Sequence, residues 1–137
     1  MDATTNLITA PDYGRLNELL HSRDIRRLYG SVAETLSLEI KHRQIVSPAR
    51  IPREVVTMNS TVQVCDLASR RRSTYTLVYP HEADFDQGKV SVMAPLGTAL
   101  LSARVDQTVE YSAPAGIRRL KVEKIVYQPE AAGDHHL

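Results

Sequence analysis

Residues Thr61 to Tyr79 read TVQVCDLASRRRSTYTLVY. Val62 and Val64 alternate with Thr61, Gln63 and Cys65. Tyr75, Leu77 and Tyr79 alternate with Thr74, Thr76 and Val78. A period of two marks a strand with one buried face. Leu67 to Ser73, between the two runs, holds Arg70, Arg71 and Arg72 and predicts a turn. The stretch is therefore a β-hairpin, which Pro80 ends because proline cannot donate to a ladder.

Downstream, His81 to Gly88 is an acidic loop with Glu82, Asp84 and Asp86, and Val90 and Val92 mark a third strand. Pro95 opens a short helix, Leu96 to Ser102, with Leu96, Ala99 and Leu100 on one face. Val109 and Tyr111 mark a fourth strand, and Pro114-Ala115-Gly116 is a turn signal. Leu120 and Val122 point one way along the last strand, while Ile125 and Tyr127 fall in the opposite phase. A β-bulge between them reconciles the two. This half reads as an antiparallel sheet with one helix between its third and fourth strands.

Upstream, the period changes. Thr9 is placed to cap a helix with Pro11 and Asp12 in its first turn, followed by Tyr13, Leu16, Leu19 and Leu20. His21 to Gly30 breaks the pattern and is rich in charge. A second run begins near Ser31, with Val32, Leu36 and Ile40 as its stripe and Leu38 and Ile45 beside it, and Ser47-Pro48 closes it. Two helices and a short turn predict a stubby antiparallel hairpin, with Arg23, Asp24, Arg26 and Arg27 at its tip.

Composition narrows the function. The 137 residues suit one domain with a small appendage. Lys plus Arg number 17 against 16 Asp plus Glu, which disfavours a general nucleic-acid binder. Tryptophan is absent and Phe85 is the one phenylalanine, so a cage of several aromatic rings is hard to build. Cys65 is the one cysteine; with apolar neighbours it reads as a buried thiol in a reducing compartment. The N-terminus has no signal-peptide pattern, and no apolar run is long enough for a membrane span. A cytoplasmic monomer is expected. Asn59-Ser60-Thr61 matches a glycosylation acceptor but reads as the start of a strand.

Catalytic signatures are absent: there is no phosphate-binding loop, no HExxH and no CxxC. His21, His42, His81, His135 and His136 have no ligand-forming partner at a familiar spacing, and Asp134-His135-His136 reads as a polar tail. Neither a metal nor a cofactor is expected. Arginines gather instead at the hairpin tip and in the first β-turn, and Arg118, Arg119, Lys121 and Lys124 stud the last strand. These positions suit an acidic or phosphate-bearing partner, or simply a solvated surface.

Four segments occur in order: PREVVTMNSTVQVCDL at Pro52–Leu67, TLVYPHEAD at Thr76–Asp84, KVSVMAPLGTALL at Lys89–Leu101 and YQPEAAGDHHL at Tyr127–Leu137. Together they resemble the bacterial regulators of nucleoside diphosphate kinase, a family related to the Gre transcript-cleavage factors. The likeness runs from Val55 onward; VVTMNS and YQPEAAGD resemble the regulators rather than the Gre factors. It implies an α+β fold: a short helical coiled-coil hairpin over residues 1–50, then a sheet domain over 51–137 similar to FK506-binding proteins. It also implies a partner, bacterial RNA polymerase, met near its secondary channel. The loop matching the docking segment of the Gre factors is Met93, Ala94, Pro95, Leu96 and Gly97.

A small departure concerns the turn before the fourth strand: the family often has Gly-Asp there and this chain has Val105-Asp106-Gln107, so the resemblance does not carry over a left-handed turn. Two larger departures stand out. The helical segment is shorter than in the Gre factors, and its tip lacks their acidic pair, since Asp24 stands among Arg23, Arg26 and Arg27. A lone carboxylate among arginines is poorly suited to a divalent cation, which takes several oxygen ligands. The expectation is a non-enzymatic regulator that binds polymerase without stimulating cleavage, competes with Gre factors and alters the level of nucleoside diphosphate kinase. Two alternatives are weaker. A nucleic-acid-binding module would need exposed aromatics among its basic residues. A prolyl isomerase of the FK506-binding type would need an aromatic pocket, and fold alone does not carry function.

Overall fold

The computed structural model describes residues 6–134 and 137. The first residues, read above for a signal peptide, and His135-His136 of the polar tail lie outside them. The chain divides into two compact units, residues 1–51 and 52–137. Each unit mixes helix with strand, so the α+β class stands.

The first unit is more than a helical hairpin. Strand β1, Leu7–Thr9, precedes helix α1, Ala10–Leu20. The Thr9 hydroxyl accepts from the Asp12 amide at 3.2 Å, which satisfies one orphan donor of the helix start. The charge-rich segment is itself a helix, α2, Arg23–Tyr29. Its single buried residue, Ile25, anchors it, and Gly30 at φ +44° separates it from α3, Ser31–Lys41. The two-helix reading with a short turn is thus corrected to three helices. Strand β2, Gln44–Val46, then pairs in parallel with β1. Helix α3 buries Ala33, Leu36 and Ile40 and leaves Val32 and Leu38 exposed. The buried stripe therefore runs one residue away from Val32.

The second unit is a five-stranded sheet in the order β5-β4-β3-β7-β6. Strand β3 spans Thr61–Asp66, β4 Arg72–Val78, β5 Lys89–Ser91, β6 Thr108–Ala113 and β7 Gly116–Tyr127. The deciding hairpin is present, with Val62 opposite Tyr75 and Val64 opposite Ser73. The predicted bulge is present too: Val62 pairs with Ile125 but Val64 with Val122, so the register slips at Glu123; a second slip, at Val126, sets Tyr127 opposite Thr61 and so out of phase with Ile125, which the single-bulge reading does not anticipate. One expectation fails. Strand β5 runs parallel to β4, so the sheet is mixed rather than antiparallel. The loop from Pro80 to Gly88 crosses back and forms two short 3-10 turns on the way.

Helix α4, Pro95–Leu100, packs against β6 and β5 and covers a core that includes Val62, Val64, Leu77, Val90, Leu120 and Val122. Cys65 is buried and free, as expected. Asn59 starts the sheet domain in a left-handed conformation at φ +68°, its amide donating to the Leu77 carbonyl at 2.6 Å. Asp106 adopts φ +75°, so the left-handed turn forms without glycine. Aspartate is among the residues that tolerate this region.

The closing motif works as a staple. Helix α5 spans Pro129–Ala132. The buried Gln128 amide donates to the Pro52 and Val55 carbonyls, each at 2.8 Å. Glu130 accepts from the Thr57 hydroxyl at 2.8 Å, and the Thr57 amide donates to the Ser60 hydroxyl at 2.9 Å. Tyr127 donates to Asp134, and that bond pushes the phenol up to about 12. The segments VVTMNS and YQPEAAGD thus hold one another.

Candidate functional site

The loop leading into α4 is built to hold one residue outward. Chain reversal after β5 is fixed by Ser91, whose hydroxyl accepts from the Met93 amide at 3.0 Å and whose carbonyl accepts from the Ala94 amide at 3.0 Å. From the helix side, the Thr98 hydroxyl donates back to the Val92 carbonyl at 2.7 Å. Ala94 takes the N-cap position with extended backbone, and Pro95 takes the first helical turn, where its missing N–H costs nothing. Of the five residues singled out by sequence, Pro95 is exposed and Ala94 half-buried, while Met93, Leu96 and Gly97 belong to the core. A partner can therefore touch Ala94 and Pro95, and the other three position them. Gly97 is there for space: a Cβ on it would fall 1.9 Å from the Ser91 carbonyl oxygen.

The second candidate group, Arg23, Asp24, Arg26 and Arg27, lies on α2, and all four side chains are exposed. Arg26 turns back, its Nε donating to the Leu20 carbonyl at 3.3 Å. Among the described residues, no three His, Cys, Asp or Glu side chains group as metal ligands.

The basic strand residues are mostly compensated. Arg72 pairs with Glu123 at 2.8 Å, Arg119 with Glu110 at 2.9 Å and Lys121 with Asp106 at 4.0 Å. Arg118 donates its Nε to the buried Asp66 carboxylate at 2.9 Å, and a second guanidinium N–H reaches the same oxygen. The other Asp66 oxygen accepts from the Ala68 and Ser69 amides at 2.8 and 3.2 Å, which closes the first β-turn. The Arg118 bond, reinforced by those amides, holds Asp66 below the ordinary carboxylate range. Its contribution to stability is therefore full above the ordinary aspartate value and is lost as pH falls through the depressed one. Comparing the native chain with Asp66→Asn by urea unfolding should show a stability gap at neutral pH that closes as pH falls below the ordinary aspartate range. A gap unchanged through that fall would refute the pairing.

Sequence reasoning missed one feature. The fold stacks Phe85 on Tyr75 with ring centroids 6.3 Å apart, and Arg118 acts electrostatically on both Tyr75 and Tyr111. Two rings stack although the chain is poor in aromatics. Strand alternation puts Tyr75 on the core side; nothing in the pattern folds the acidic loop back onto it.

A sheet of this order with a helix after its parallel edge strand, and a capped loop between, defines the C-terminal domain of a transcription elongation factor of the GreA/GreB type. The family model for that domain matches residues 51–127. A transcription elongation factor GreA/GreB structure from Nitrosomonas europaea superposes with a TM-score of 0.75 at 32% identity, covering 90% of this chain and 98% of the other. GreA of Rhodospirillum rubrum is 29% identical over 85% of this chain and 76% of its own length. The regulator of nucleoside diphosphate kinase of Escherichia coli K12 is 38% identical over the full length of both chains. The chain belongs to the family of these regulators, within the wider group of Gre-like transcription factors.

Proposed function

We propose that this chain is a non-enzymatic transcription regulator, acting as a cytoplasmic monomer, that binds bacterial RNA polymerase near its secondary channel through Ala94 and Pro95. It does not stimulate transcript cleavage, and it competes with Gre factors for the same place. Its effect on nucleoside diphosphate kinase is exerted on the level of that enzyme. Family membership supports the partner. The observation that carries the rest is the make-up of the helical unit. Helices α1 and α3 have 11 residues each, about 16 Å at 1.5 Å per residue. The helix between them, α2, carries one acid, Asp24, beside Arg23, Arg26 and Arg27. That side-chain set attracts anions and leaves a divalent cation short of oxygen ligands.

Two measurements test this. Core polymerase should retain the chain in a pull-down, and excess Gre factor should displace it. In a backtracked complex with Mg²⁺, the chain should leave transcripts at their original length. Rapid shortening of the transcript would sink the non-cleaving part of the reading.

A further inference from the structure

The core side of the sheet carries a surface at the other end of β5 from Ala94 and Pro95. The Phe85 loop enters β5 at Lys89, whereas the Ala94–Pro95 loop leaves it after Ser91. Tyr75 stands opposite the buried Val62, and Tyr111 stands opposite Arg118, so both phenols project on the core side. Phe85 stacks on Tyr75 yet stays 71% exposed. Isolated exposed apolar side chains are ordinary, but an exposed ring stacked on a second ring and flanked by two carboxylates marks an interaction surface.

The loop is pre-formed and negative. Asp84 and Lys89 exchange two backbone hydrogen bonds, both 2.9 Å, and Gly88 accepts from the Thr76 amide at 2.8 Å, so the loop is closed and tied to β4. Arg118 is taken up by Asp66. Among the described residues, neither Asp84 nor Asp86 has a cationic side chain within ion-pair distance. Aromatic faces beside uncompensated carboxylates suit a cation carried on an apolar stem.

We propose that this face docks a lysine- or arginine-bearing segment of a protein partner. A cationic side chain lies over the Phe85–Tyr75 rings, and Asp84 and Asp86 supply the charge. The contact does not depend on the polymerase reading, because the residues of the two loops are separate.

The test is a titration of the ¹⁵N-labelled full chain with an acetylated, amidated peptide alternating Lys, Phe and Arg. A matched peptide has Glu in place of each cation. The basic peptide should shift the Tyr75, Phe85 and Tyr111 amides saturably, less strongly as salt rises, while the acidic one shifts nothing. Phe85→Ala, which removes an exposed ring, should weaken binding about tenfold. The double variant Asp84→Asn with Asp86→Asn should weaken binding and flatten its salt dependence, and Pro95→Glu should leave it unchanged. The proposal is overturned by the absence of a saturable shift, by an equal response to the acidic peptide, or by unaltered affinity in Phe85→Ala. The same shifts appearing on concentrating the chain alone also overturn it, since they assign the face to a second copy.

Discussion

Gly97→Ala is expected to lower the stability of the sheet unit by about 3 kcal/mol, at the upper end of what overpacking costs. Residue 97 lies in the first turn of α4, where alanine is intrinsically the better helix former by about 1 kcal/mol. Propensity therefore predicts the opposite sign, and packing decides. The added Cβ would stand 1.9 Å from the Ser91 carbonyl oxygen, 2.7 Å from its carbon and 3.0 Å from the Val92 Cα. These are backbone atoms of β5 and the loop after it, so no side chain can turn aside. Relief requires α4 to lift from β5, and the Thr98–Val92 and Met93–Ser91 bonds go with it. Gly14 supplies the control. It lies inside α1 with nothing within 4 Å of an added Cβ. Gly14→Ala is expected to stabilise the helical unit by about 0.5–1 kcal/mol. Urea unfolding of both variants reads the contrast. Equal effects at the two glycines would mean that α4 sits farther from Ser91 than described.

Much of this architecture can be read from residue order, and the failures share a cause. The bulge in β7 is legible because Leu120 and Val122 contradict the phase of Ile125 and Tyr127, and one inserted residue is the only local repair. The Thr9 cap is legible because hydroxyl, proline and acid fall in the order a helix start needs. What escaped depends on partners distant in sequence. Strands β1 and β2 have three residues each, too few for a period to show. Helix α2 buries only Ile25, so its pattern looks like a charged turn. The direction of β5 follows from where the acidic loop travels, and a strand pattern reads alike in both directions. Asp106 fills a left-handed position that composition reserves for glycine. At the candidate site, Pro95 was legible as a helix start, but the split between exposed Pro95 and buried Met93 and Leu96 needed the fold. The aromatic pair needed it most, since Tyr75 and Phe85 lie on separate elements.

Pro95→Glu is expected to abolish polymerase binding while leaving the fold intact. The case rests on separating what Pro95 does for its own chain from what it offers a partner. For its own chain it does little. It is exposed, it sits where a helix N–H has no intrahelical acceptor, and the loop geometry comes from Ser91 and Thr98. Glutamate is tolerated at a helix start, where its charge complements the dipole. For a partner, Pro95 is the rigid apolar tip of an otherwise buried loop, the kind of anchor that carries a large share of an interface. A carboxylate there must either be desolvated unpaired or hold the surfaces apart. Loss of such an anchor is worth at least about 2 kcal/mol, or roughly thirtyfold in affinity. The variant should therefore unfold at the native urea midpoint and fail to compete with a Gre factor for core polymerase. Lys124→Glu, a charge change at an exposed site on β7, should bind as the native chain does. Full retention of binding by Pro95→Glu would remove the loop before α4 from the interface. Equal loss in both variants would replace a specific anchor with a general charge effect.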